Sequence, residues 1–145
     1  MKNALDIIGM HERITISKHD IKDLPTKTDT GAYNCAIDCS FAEERINETG
    51  DKVLVYTLLN PESKYYSRKR IITKKYKVKT VRSSNGIETL RYQVKLNIEL
   101  KGKKYKTTFN LSNRAKMRYP VLLGRKFIAN RFLVDVGKGR KLKSK

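Results

Sequence analysis

Tryptophan is absent from this chain of 145 residues, cysteine occurs twice and proline three times, and acidic residues are outnumbered 33 to 14 by lysine and arginine. These scarcities exclude several classes of protein. Cys35 and Cys39 cannot staple a disulfide scaffold, because residues four apart on an extended segment are separated by roughly 13 Å, which is beyond disulfide reach. No apolar run is long enough to span a bilayer, and no leader of charged, apolar and small residues is visible. The expectation is a cytoplasmic protein with no membrane association. No glycine-rich phosphate loop occurs, so ATP dependence has no support. His11, His19, Cys35 and Cys39 fit none of the familiar finger spacings, so neither a metal site nor a cofactor is expected.

The charge balance works in the other direction. A formal net charge of +19 creates a positive field that attracts polyanions, and RNA, an anionic membrane and an acidic peptide all qualify on charge alone. The length suits one hydrophobic core.

Along the chain, β-branched and aromatic runs alternate with turn signals. Residues 7–16 read as a first strand. Residues 18–25 form a polar approach ending at Pro25, which restricts Leu24 to extended geometry. Phe41 to Asp51 reads as a short excursion closing in a turn at Gly50 and Asp51. The run Lys52 to Leu59 is a strand broken by Asn60-Pro61. Lys64 to Lys79 is strongly basic with interleaved Tyr65, Tyr66 and Tyr76, and its plain reading is a solvated strand face. Asn85-Gly86 marks a long hairpin between residues 78–81 and 87–100. A second turn at Lys101-Gly102-Lys103 leads into Tyr105 to Leu111, and Lys126 to Asn130 forms one short helix before a last strand from Phe132 to Val136. No long amphipathic helix and no internal repeat is visible, so the class is all-β. Residues 1–136 make a single domain, and 137–145 form a basic tail expected to be disordered.

The chemistry centres on Asp29-Thr30-Gly31-Ala32. Alone, Asp-Thr-Gly reads as an ordinary turn. The loop follows a strand, however, and about ninety residues later comes Val121-Leu122-Leu123-Gly124-Arg125, with the glycine-tipped hairpin lying between the two. That order resembles the retropepsin-like aspartic peptidases, in which the catalytic loop packs against an apolar-apolar-Gly segment and the hairpin is a flap over the substrate. More closely, the chain resembles the bacterial and archaeal retropepsin-like family often encoded near ATP-grasp ligases that add glutamates to protein C-termini. Some members of that family carry an older label as ATP-dependent zinc proteases. The resemblance runs from Ile7 to about Val136. It rests on Ile8-Gly9 with Glu12, Lys27 with the Asp29 tetrad, residues 81–86 with Arg91, Asn113-Arg114 with Met117 and Pro120, and residues 122–125 with Val134-Asp135. It implies a closed β-barrel with a flap hairpin and one short C-terminal helix.

Aspartic peptidase chemistry needs two carboxylates sharing one proton, one activating water and the other hydrogen-bonding the scissile carbonyl. With a single Asp-Thr-Gly per chain, the expected enzyme is a homodimer with Asp29 from each protomer at the two-fold axis. Thr30 would tie the two loops, and Gly31 would let backbone approach the substrate. Asp38 and Asp135 lie outside any loop context and are read as structural. Retroviral members typically place an acid four residues after the catalytic Asp, paired to the arginine after the apolar-apolar-Gly segment; here that position is Tyr33. Arg125 is thereby a candidate for binding substrate carboxylates, together with Lys27, Arg82, Ser84, Arg91 and Arg114, while Ser83, Asn85 and Gly86 form the flap tip. The resemblance implies acidic substrates, such as C-terminal oligoglutamate tails. The competing reading is a basic β domain that binds RNA or the ribosome through the Lys64 to Lys79 tract without catalysis.

Overall fold

A computed structural model describes residues 5–82 and 84–138, with the side chains of positions 81 and 82 left undescribed. The chain runs β1 (Asp6–Gly9), β2 (His11–Ile16), a 3-10 turn (Ser17–His19), β3 (Ile21–Thr28), β4 (Cys35–Ile46), β5 (Lys52–Leu58), β6 (Arg70–Thr73), β7 (Lys77–Arg82), β8 (Glu88–Leu100), β9 (Lys103–Ser112), β10 (Val121–Leu123), α1 (Arg125–Ile128) and β11 (Phe132–Asp135). The protein is mainly β with one short helix, as its composition and turn signals imply.

Six strands in the order β10-β3-β2-β8-β9-β4 close on themselves through a β10–β4 pairing, giving a barrel. Period-two alternation sets its inside and outside. On β8, Val94, Leu96, Ile98 and Leu100 are buried while Lys95 and Asn97 are exposed, as a half-buried strand requires. Phe109, Phe127, Ile14 and Ile37 complete the interior at 0% exposure. The β8–β9 hairpin turns through Lys101 and Gly102, both at positive φ, with Leu100 paired to Lys103. This is the two-residue geometry whose twist matches the flanking strands.

Three features differ from the sequence expectation. The polar approach of residues 18–25 is a 3-10 turn followed by β3, which pairs antiparallel with β2 through Pro25. Residues 7–16 are two strands, because Gly9 and Met10 turn the chain so that β1 pairs in parallel with β11 while β2 enters the barrel. Phe41 to Ile46 is no excursion: β4 continues through it for twelve residues and pairs antiparallel with β5 up to the Asn47–Asp51 turn. Its outer half is polar, so periodicity alone could not mark it as strand. A register shift between Cys39 and Phe41 bends β4 out of the barrel. The β5–β6 wing grows from that bend, and β7 and β8 pair from Lys77↔Gln93 to Arg82↔Glu88 to form the predicted hairpin. Among the described residues, no helix is long and apolar enough to cross a membrane.

Candidate active site

The Asp29 loop joins β3 to β4, and β10 lies between those two strands, parallel to β3 and antiparallel to β4. The chain therefore crosses itself beneath the loop. Leu123 pairs with Thr28, and its carbonyl accepts the Asp29 N–H at 2.9 Å; one turn later Arg125 N–H donates to Ala32 O at 2.8 Å and Lys126 N–H to Tyr33 O at 3.0 Å. The loop's own bonds tighten it: Asp29 Oδ1 accepts the Gly31 N–H at 2.9 Å, and Ala32 N–H donates to Asp29 O. Buried Thr28 donates its hydroxyl to Gly9 O at 2.8 Å and its N–H to Met10 O, fixing the approach from below.

Gly124 is where the crossing is closest. A Cβ there would lie 2.5 Å from Asn34 O and 2.7 Å from Tyr33 O, both rigid backbone atoms. Beneath it the Cys35 thiol meets the Gly124 N–H at 3.5 Å, and burial pushes that thiol's pKa up. Cys35 is a free packing thiol.

Arg125 is exposed and has no carboxylate partner among the described residues. Its guanidinium donates to Thr30 O at 3.1 Å and lies 5.8 Å from the Tyr33 ring centre. It braces the loop from outside, where an acid at position 33 would otherwise have held it. Arg114 approaches from the segment before β10. Its N–H donates to the buried Asp38 carboxylate at 2.7 Å and its Nε to Tyr119 O. Burial lowers the Arg114 pKa, while the charges of Asp38 and then Asp29 raise it. It lines a cavity of about 420 Å³ with Arg13, Asn60 and Tyr119. Asp38 is indeed structural: it accepts from Arg114 and from Asn60 Nδ2 at 3.2 Å, and its backbone ties Pro120 O and the Leu59 N–H.

The structure thus brings together Asp29, Thr30, Gly31, Ala32 and Arg125, with Lys27 two residues upstream on β3, and places Arg114 on Asp38 and Tyr119. Ser84, Asn85 and Gly86 sit at the exposed tip of the β7–β8 hairpin, and Arg91 lies on β8 opposite Lys79. Ser83 and the Arg82 side chain lie outside the described residues, as does the basic tail from residue 139. His11 stacks on Tyr119, and His19 shares a 3.1 Å hydrogen bond with the Tyr56 hydroxyl. No three His, Cys, Asp or Glu side chains among the described residues gather as metal ligands.

Sequence reading missed a second basic feature. A cavity of about 730 Å³ lies behind the loop, where Tyr33, Asn34 and Lys126 meet β6, β7 and the outer face of β8 and β9. Its signal in the sequence was the spacing Lys75-Lys77-Lys79, which puts three ammonium groups on one side of an extended segment.

Comparison with known proteins agrees with this architecture. The chain matches the RimB-like family, described as "Retropepsin-like aspartic endopeptidase RimB", over residues 7–144. The solved structure of Lpg0085 from Legionella pneumophila subsp. pneumophila str. Philadelphia 1, a protein of unknown function, superposes with a TM-score of 0.64 at 26% identity, covering 92% of this chain and 95% of that one. Two proteins named "Probable alpha-L-glutamate ligase", from Shewanella pealeana (strain ATCC 700345 / ANG-SQ1) and Shewanella halifaxensis (strain HAW-EB4), are each 39% identical over 72 residues. That segment is 48% of this chain and only 16% of either ligase. A barrel closed by β10 beneath an Asp-Thr-Gly loop, with a family match over nearly its whole length, places the chain in the RimB-like family of retropepsin-like aspartic endopeptidases.

Proposed function

We propose that this protein is a homodimeric aspartic peptidase in which Asp29 of each protomer supplies half of a carboxylate dyad, and that it hydrolyses peptide bonds in acidic segments, glutamate-rich tails above all. The observation that carries the reading is the β10 crossing. It fixes the Asp29 backbone through Leu123 and turns Oδ1 onto Gly31 N–H, while Oδ2 has no partner among the described residues. A carboxylate held in this way is positioned to share a proton with a symmetry mate and to activate water between them.

Two exposed apolar faces support the dimer. Ile7 and Leu133 are register partners on β1 and β11, and they are 48% and 57% exposed on the outer face of a two-stranded sheet whose inner side chains, Ile8 and Phe132, are buried in the core. On the hairpin, Leu90 and Val78 are likewise exposed, at 60% and 42%. Apolar surface of this kind marks an interaction site. Acidic substrate preference is supported by the +19 charge and by an Arg125 that has no carboxylate partner among the described residues, with Lys27 on the strand leading into the loop. The RNA reading loses support because the three tyrosines of the basic tract, Tyr65, Tyr66 and Tyr76, are partly buried against the core, which leaves less of each ring free to stack on a base.

Mass spectrometry of an oligoglutamate peptide incubated with wild type and with Asp29→Asn tests the reading. The variant should lose roughly 100-fold or more of the turnover while keeping the wild-type sedimentation coefficient. Equal cleavage by both proteins, or full activity from a monomer, would overturn it.

A further inference from the structure

The cavity behind the loop has a composition of its own. Lys95 on β8, Lys106 on β9 and Lys126 on α1 converge on it from three elements. Lys18 and the β7 side's Lys75, Lys77 and Lys79 close it, and no Asp or Glu lines it. None of these seven lysines forms an ion pair among the described residues, although Lys69, Lys74 and Lys103 elsewhere all do. Like charges held around one concavity repel, and low-dielectric walls focus their field, so the arrangement stores potential that an anion relieves.

Two further observations specify the anion. β6 pairs only with β5 and β7 only with β8 among the described residues, so each presents one unpaired edge, and both strands line the cavity. Free N–H and C=O groups on an edge recognise an extended polypeptide through main-chain hydrogen bonds. Base stacking, by contrast, finds a single exposed ring among the described lining residues, Tyr33. Tyr56 is 3% exposed and bonded to His19, Tyr76 is bonded to Glu44, and the Arg125 guanidinium lies against the exposed Tyr33 ring. His19 lines the same cavity at 6% exposure, with its Nδ1 unpartnered among the described residues.

We propose that this cavity is a docking site for an acidic peptide segment, bound in extended form along the β6 and β7 edges with its carboxylates on the surrounding lysines. Tyr33 and Asn34, five residues or fewer beyond Asp29, form one rim, so a chain held there leads toward the catalytic loop. Its use in holding substrate beside the scissile bond rests on the peptidase reading, whereas the binding itself does not.

The test uses full-length Asp29→Asn protein, which would not consume its ligand, and the fluorescence anisotropy of a labelled decaglutamate peptide. Lys95→Gln/Lys106→Gln/Lys126→Gln should weaken binding by roughly tenfold or more relative to Lys22→Gln/Lys52→Gln/Lys104→Gln, three exposed lysines outside the cavity that carry the same charge change. The ring resonances of the two histidines report position: His19 should shift as peptide is added, and His11 should not. Equal weakening in the two triple variants, or an unmoved His19, overturns the site. Displacement of the peptide by decauridylate at lower concentration, with the same His19 shift, makes it a nucleic-acid site and overturns the peptide. In wild-type protein, cleavage with KM unchanged by the cavity substitutions leaves the peptidase reading standing and removes the docking site. Binding without any cleavage does the reverse.

Discussion

The Asp29 loop and the lysine cavity adjoin through Tyr33, Asn34 and Lys126, yet they are specified by opposite means. In the loop nearly every constraint is a backbone hydrogen bond or a steric limit: Leu123 O on Asp29 N–H, Ala32 O on Arg125 N–H, and no room for a Cβ at Gly124. In the cavity the common element is side-chain charge carried on exposed positions of several elements, with no hydrogen bond or ion pair fixing the ammonium groups among the described residues. The loop demands particular residues at particular places, whereas the cavity demands only enough lysines facing one way. Substitutions should therefore act on folding in the first region and on binding in the second.

The sharpest way to break that contrast is Gly124→Ala. The added methyl would meet two backbone carbonyls, neither of which can move without opening the β10 crossing. Overpacking against rigid backbone should cost about 3 kcal/mol in urea denaturation. A stability within 0.5 kcal/mol of wild type, on the scale of ordinary surface changes, would show that the loop is not held as described.

The floor of the cavity should show a smaller, pH-dependent effect. Burial lowers the His19 pKa from 6.5 to about 4, with Lys69 and Lys18 adding to the shift and Asp20 opposing it. The folded protein then binds fewer protons than the unfolded chain between those values. Stability is full above about pH 6.5 and falls as pH drops toward 4, by up to about 3 kcal/mol for the whole shift. Denaturation curves between about pH 7 and 4.5, run beside a ring-resonance titration, measure it. A His19 that titrates near 6.5 in the native state would mean that the cavity floor is wet.

What was legible in the sequence follows the same division. The Asp29 tetrad, the Leu-Leu-Gly-Arg segment and the Asn-Gly hairpin are local signals, since each needs a few particular residues in a row; the hairpin could be read from its own residues, and the barrel came with the family resemblance that the three carry. The continuation of β4 through Phe41 to Ile46 was hidden, because a strand whose outer half faces water carries polar residues and no clean alternation. The cavity was hidden for a different reason. Lys95, Lys106 and Lys126 are far apart in sequence and meet only through the β8–β9 register and the α1 crossing. Charge at a single position is ordinary surface chemistry, and only topology turns it into a site.

The smallest effect predicted has the opposite sign to the others. If seven unpaired lysines are held around one concavity, their mutual repulsion is a cost of the folded state that extended chains avoid. Lys95→Gln/Lys106→Gln/Lys126→Gln should then stabilise the protein, on the order of 0.5 kcal/mol at low ionic strength. The gain should shrink as salt rises and the Debye length falls from about 30 Å at 0.01 M to about 3 Å at 1 M. Denaturation midpoints of this variant and of the Lys22, Lys52 and Lys104 control across that salt range make the comparison. A gain confined to the cavity variant identifies charge kept in place against stability, as expected of a binding site. Equal gains would reduce the seven lysines to their share of the +19 net charge, and would make the two regions differ in residues but not in kind.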